Sequence, residues 1–388
     1  MRDAHRAVGR RTDAPVMLAL SEIRRSVVRF GLLVAAIALL VFLILFQQAL
    51  RDGLITSFVG GIRNQSAPVL VYDVDALNAL QASTISPELE RRISRADGVG
   101  RTARIGERTF TVEVDHGEPG DASLIGTDDP HLVHPQDLSA GRRPSAQGEA
   151  VGSDADFSVG DEVEIVSATG GRGVTVTVVG VARDIQLGVT PTLFTDLTTF
   201  ADAVRAANPD VTRVLPNALA VAPAKGATPE SVAAAINDSS PDADALTRAD
   251  AAANSPGVAQ VTRSFQVIFV LYGLVVPLVT GLFFLILTLQ KARSLTLLRA
   301  IGARTSVLAG SLLTQVVLVV GLGIGLGVAL YVPVSQSRVG GLTLRFDPTT
   351  VITWSVLLLL LALVSAVASL RRVLRIDPID ATAGGGVR

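Results

Sequence analysis

The chain has 388 residues, 49% of them hydrophobic, and no cysteine, which excludes disulfide scaffolds and thiolate chemistry. The formal net charge of −1 hides a segregation: residues 51–263 hold 29 of the 35 acidic side chains but 17 of the 34 basic ones. Most remaining basic residues lie beside apolar runs, the distribution of a membrane protein and not of a nucleic-acid binder.

A bilayer core ~30 Å thick requires roughly 20 apolar residues in helical form. Four stretches meet that length, and backbone pairing inside hydrocarbon makes each a helix. Residues 1–29 come first, with Pro15 and then Val16, Leu20, Ile23 and Val27 at helical spacing. They read as an amphipathic cytoplasmic segment whose Arg24, Arg25 and Arg29 face headgroups, or as a straight extension of the first span. Residues 30–50 form transmembrane helix 1, too long an apolar run for a cleaved signal. Residues 51–263 form one large mixed α/β domain. Strand-like runs fall at 68–74, 109–115, 161–167, 173–181 and 217–222, and helical runs at 87–96, 197–207 and 229–237. Glu162–Ile165 and its continuation Val166 alternate, as does the run 174–178, and Gly170-Gly171-Arg172-Gly173 reads as the turn between them. A strand-rich distal part at about 101–190 is expected on a membrane-proximal α/β part built from both ends of the insert. The Ala-rich run 248–263 suggests a stalk helix extending the second span, with Ser255-Pro256-Gly257 its one break.

Residues 264–290 form transmembrane helix 2, in which Pro277 removes a ladder bond and marks a hinge. Residues 291–305 are a short basic segment. Residues 306–332 form transmembrane helix 3, where Gly321 with Gly325 and Gly323 with Gly327 allow close backbone approach. That approach serves packing within the chain or a dimer seam. Residues 333–350 make an external loop, 351–370 transmembrane helix 4, and 371–388 a basic tail. Positive charge before helix 1, at 291–304 and after helix 4 places both termini in the cytoplasm and the insert outside the cell membrane.

The spans contain no Asp, Glu, Lys, Arg or His, which argues against a channel or an ion-coupled transporter. No Gly-Lys-Ser/Thr phosphate loop and no G-x-S-x-G elbow exist. His131 and His134 beside Asp128 and Asp129 read as a surface loop, with a metal as the minor alternative. No haem ligand set, aromatic cage or catalytic constellation is evident.

The run Lys291-Ala292-Arg293-Ser294-Leu295-Thr296-Leu297-Leu298-Arg299-Ala300-Ile301-Gly302-Ala303 resembles the cytoplasmic loop of MacB/FtsX-like permeases, the membrane subunits of type VII ABC transporters. The stretch Arg371-Arg372-Val373-Leu374-Arg375-Ile376-Asp377-Pro378-Ile379-Asp380-Ala381 is similar to that family's C-terminal signature, a basic stretch followed by Asp-Pro and a short apolar-acidic end. Gly141-Arg142-Arg143-Pro144 with Gly148-Glu149-Ala150-Val151, then Val159-Gly160-Asp161-Glu162-Val163 and Val178-Val179-Gly180-Val181, agree in order. The one-plus-three helix layout agrees too. One departure is Ser294, where the family carries Glu.

Leu295, Leu298 and Ile301, with Leu297 adjoining, give a helix there an apolar stripe that Gly302 can end. The resemblance implies that this is the coupling helix, with Arg293, Leu295, Leu297, Leu298, Arg299, Ile301 and Gly302 meeting a separate P-loop ATPase; the alternative is a helix flat on anionic lipid. It also implies a non-catalytic permease subunit, a homodimer, ATP bound only by the partner, no cofactor of its own, and export of an unspecified substrate by mechanotransmission. An adaptor or a hydrolase outside the cell is a further partner class. A transmembrane regulator of a cell-wall hydrolase and an ATPase-independent sensor or scaffold are the rival readings.

Overall fold

The computed structural model describes residues 27–167, 173–290, 305–336, 338–339, 342–344 and 346–374. They form two compact units. One takes the chain up to Leu50 and from Ser264 onward; the other is Arg51–Arg263. Helix α1 (Val27–Arg63) contributes to both. The inserted unit then runs β1 (Val69–Asp73), α2 (Pro87–Ile93), β2 (Val99–Val114), β3 (Gly120–Thr127), β4 (Leu138–Gly141), β5 (Glu149–Ser153), β6 (Glu162–Ile165), β7 (Val174–Ala182), β8 (Thr192–Asp196), α3 (Leu197–Ala207), β9 (Ala218–Pro223), α4 (Pro229–Ser239), β10 (Ala243–Thr247) and α5 (Arg248–Asn254).

Helix starts in this unit follow local chemistry. Ser86 accepts the Leu89 N–H ahead of Pro87, Asp196 accepts the Thr199 N–H, and Thr228 forms a capping box with Ser231 ahead of Pro229. Strands β10, β1, β9 and β2 lie side by side, each antiparallel to its neighbour, with Val71 opposite Ala245 on one side and Leu219 on the other. Together with α2 and α4 this is a split β-α-β arrangement. Val69 and Val71 pack under Leu89, Ile93, Val232 and Ile236.

Strand β2 has sixteen residues, enough for two partnerships. Its first half pairs with β9, and the rest with β3 and β6. The ring β2–β3–β8–β5–β7–β6 closes on itself, with β3·β8 and β5·β7 parallel and β4 appended to β7. Closure removes sheet edges. Phe110, Leu124, Ile165, Val176, Val178 and Leu193 fill this barrel core, and α3 adds Phe200, Ala203 and Val204. A Cβ on Gly106 or on Gly126 would overlap Phe200, so both glycines make room for that ring. The segment 168–172 between β6 and β7 lies outside the described residues, but Ile165 pairs with Val174.

The Arg142–Glu149 motif is a loop clasp. Arg142 donates to both carboxylate oxygens of Glu149, and Ser145 N–H adds a bond of 2.8 Å. The guanidinium, then the backbone N–H, hold this carboxyl down at about 2.

Helix α6 (Val258–Gln290) begins after Ser255-Pro256-Gly257. The stalk expected from residue 248 is therefore two helices: Pro256 offers no N–H, and Gly257 sits at φ +86°. Helix α7 (Thr305–Val334) follows, then a short pairing of β11 (Arg338–Val339) with β12 (Leu342–Thr343), then α8 (Pro348–Leu374). Helices α1, α6, α7 and α8 are long and apolar enough to cross a membrane. In the helical unit, Phe30, Ile37, Val41, Ile44, Val276, Val316, Val320 and Leu358 share one core.

Candidate functional site

The inserted unit is built around the end of α1. Gly60 and Gly61 let the helix approach the loop between β7 and β8 at backbone distance. A Cβ on Gly60 would overlap the Asp184 carbonyl oxygen, and one on Gly61 would lie 3.0 Å from that of Ile185. Gly61 N–H donates to the Gln186 carbonyl at 2.9 Å. In return, Gly188 and Val189 donate to the carbonyls of Phe58 and Ser57 at 3.0 and 2.8 Å. Ser57 Oγ adds a bond to Gln186 Oε1 at 2.9 Å, and Asn64 Nδ2 one to the Asp184 carbonyl at 2.6 Å. The loop thus bonds to the carbonyls of Ser57 and Phe58 in the last two turns of α1, while the Gly61 N–H is turned outward to Gln186.

Beyond Arg63 the chain is fastened a second time. Ser66 N–H donates to the His134 carbonyl and Gln136 N–H to that of Asn64, both at 2.9 Å. Arg248, from the first turn of α5, donates to the Gln65 carbonyl at 2.7 Å. Val59 and Ile62 share a core with Ala251 and Ala252 of α5 and with Val258, the first residue of α6. The C-terminal end of α1 and the first turn of α6 thus enter one packed junction with the sheet.

In the helical unit the four α7 glycines between 321 and 327 separate into two pairs. A Cβ on Gly323 would lie 2.6 Å from Ile37, and one on Gly327 would lie 2.7 Å from the Ala38 carbonyl oxygen. These two seat α7 against α1. Gly321 and Gly325 face open space. Pro277 stands inside α6, which continues past it, and its carbonyl accepts a bond of 2.8 Å from Ser365 of α8. Arg293, Leu295, Leu297, Leu298, Arg299, Ile301 and Gly302 lie outside the described residues.

The His131–His134 segment is a turn. Asp129 Oδ1 accepts the N–H groups of His131 and Leu132, and Asp128 accepts the Arg104 N–H. No cluster of three or more metal-ligating side chains occurs among the described residues. Among the described residues the most buried carboxyl is that of Glu107, 3% exposed. It accepts bonds from Ser123 at 2.6 Å and Gln81 at 3.1 Å, and burial raises its pKa despite them. The α1 junction was not singled out in the sequence. Its signal there is a Gly-Gly pair closing an apolar helix, and its partners lie over a hundred residues away.

An α/β unit inserted after the first of four apolar helices defines a multi-pass membrane protein with one large domain outside the helices. The family model of the MacB-like periplasmic core domain matches residues 30–239, and the chain belongs to that family of MacB/FtsX-like permeases. The hemin transport system permease protein HrtB of Staphylococcus epidermidis strain RP62A is 28% identical over 127 residues, 33% of this chain and 36% of that one. The protein of that name from Staphylococcus haemolyticus is 27% identical over 110 residues, 28% of this chain and 31% of that one. The matches thus span about a third of the length of these relatives. Among solved structures, the periplasmic region of MacB from Actinobacillus actinomycetemcomitans covers 49% of this chain and 92% of its own, at 11% identity and TM-score 0.33. The extracellular domain of the noncanonic ABC-type transporter YknZ from Gram-positive bacteria covers 46% and 99%, at 15% identity and TM-score 0.30.

Proposed function

We propose that this chain is the non-catalytic permease subunit of an ABC transporter and passes motion from a separate P-loop ATPase to its outer domain. The observation that carries this reading is the α1 junction. One helix supplies residues to the helical unit and ends in a backbone clamp on the inserted unit. Family membership and the apolar stripe of Leu295, Leu298 and Ile301 support docking of the basic segment 291–305 onto the ATPase. The charge distribution supports cytoplasmic termini. Four spans favour a homodimer, because they are few for a pathway. Uncharged spans favour movement of the outer domain for export over passage of a polar solute through the bilayer.

Leu298→Asp should abolish permease-stimulated ATPase activity of the reconstituted complex, at least tenfold, while membrane insertion is retained. Unchanged stimulation removes the coupling assignment. A cysteine placed at Ser294 in this cysteine-free chain should react with membrane-impermeant maleimide only in inverted vesicles. Labelling from outside the cell overturns the orientation and the mechanism with it.

A further inference from the structure

Residues 187–190 form a tight turn: Thr190 N–H donates to the Leu187 carbonyl at 3.1 Å, and the two residues pair as an isolated antiparallel bridge. Both central residues have positive φ, +63° at Gly188 and +64° at Val189. That is the signature of a type I′ turn, whose second central position is normally Gly, Asn or Asp. A β-branched residue there is strained. No packing repays it in full, since Val189 is 44% exposed. Yet this turn holds the end of α1. The N–H groups of its two central residues, unused within the turn, donate to the carbonyls of Phe58 and Ser57. Asp184, at the other end of the loop, also has positive φ, +57°.

The loop belongs to the barrel, between β7 and β8. The chain leaving α1 leads instead to β1, in the split β-α-β part. Helix α1 is therefore joined to one subdomain covalently and to the other by this loop, strained at Val189, and by the segment around His134 and Gln136 between β3 and β4.

We propose that the Gly188–Val189 turn is a releasable latch that fastens the barrel to the end of α1, with Val189 setting how readily it lets go. The role of such a latch in transport rests on the mechanotransmission reading; its existence does not. Engaged, it makes the barrel follow α1. Released, it leaves the barrel held to the end of α1 by the second fastening at His134 and Gln136 and by the continuous strand β2. Val189 and Gly60 are positioning residues: one strains the latch and the other gives it room.

The test is hydrogen exchange of the full chain in lipid nanodiscs, read on peptides spanning residues 184–190. Val189→Gly relieves the strain and should slow exchange there about tenfold. Gly60→Ala, whose new methyl overlaps the Asp184 carbonyl, should speed it by at least as much, with β3 and β8 still protected. An unchanged or faster rate in Val189→Gly overturns the latch, whatever Gly60→Ala does. Slower exchange in Val189→Gly with unaltered ATPase stimulation in the complex would leave the latch standing and remove the transmission reading.

Discussion

In the inserted unit the sheet meets side chains on both faces, whereas each helix of the other unit buries one stripe and turns an equally apolar stripe outward. Val267, Val270, Leu274 and Leu278 of α6 and Ile352, Val356, Leu360 and Val364 of α8 are all exposed large hydrophobics. Water would not tolerate those stripes; lipid tails do. The consequence is energetic. In the inserted unit, hiding a side chain from water is worth ~25 cal/mol per Å². Between helices in lipid that term vanishes, because the tails are as apolar as leucine, and closeness of fit decides instead. Bulk should therefore matter most in the first unit, and small residues at contacts most in the second.

The sharpest break would come at Phe200. Phe200→Ala empties a site that Gly106 and Gly126 hold open, and should cost about 3–5 kcal/mol. Circular dichroism melts should lose the β signal first, and a loss below about 1 kcal/mol would mean that the barrel core does not depend on this ring. Next comes the glycine pairing of α7. Gly327→Leu should cost about 1–3 kcal/mol by overpacking against α1, read as a lower melting midpoint in detergent. Gly321→Leu, on the open stripe, should leave that midpoint in place. An equal fall for both would show that something covers the outer stripe in the assembled protein.

Two charge substitutions test the inserted unit more finely. Burial raises the Glu107 pKa from the ordinary 4.5, so the folded state holds this proton more tightly than the unfolded one. Stability then falls as pH rises from about 4.5 through the raised value, and levels off above it. Glu107→Gln keeps an acceptor for Ser123 and removes that fall. It should raise the midpoint by roughly 2–4 °C at pH 7.5, with no difference near pH 3.5. Glu149 titrates the other way. Its carboxyl is held at about 2, so its contribution is full above 4.5 and is lost as pH falls from there through 2. Glu149→Gln should lower the neutral-pH midpoint by only about 1–2 °C, because the Arg142 pair is solvent-exposed, and the gap should close by pH 2. A pH-independent deficit would assign the effect to packing instead of charge.

What the sequence revealed depended on how local each cause was. The four helices are local, since length and apolarity suffice, and so are the helix starts at Pro87 and Pro229. The alternation around Val163 and Val176 reads directly as β6 and β7. The first half of β2 does not read as a strand. Gly100, Arg101, Arg104 and Gly106 interrupt the pattern, and its extension comes from pairing with β9, over a hundred residues on. The closure of the barrel is likewise non-local. At the junction, nothing near Gly60 in the sequence announces Asp184 or Gln186. The α7 glycines show the same limit: their spacing announced close packing, but which pair meets α1 is a property of the bundle. The charge and stripe of segment 291–305 were visible in the sequence, while residues 291–304 lie outside those described.

Strand β2 has one more implication. A strand shared by two subdomains keeps them in phase, because losing or gaining a single residue reverses which way each subsequent side chain points. Around Ile105, which faces Ala218 on one flank and Thr127 on the other, such a change would turn half of β2 inside out relative to the rest. This strand can therefore change length only in two-residue steps or with a compensating bulge of the kind it already carries between Val99 and Arg101. Diversity among relatives should accumulate in turns such as the one between β2 and β3, where inserted residues disturb no shared register.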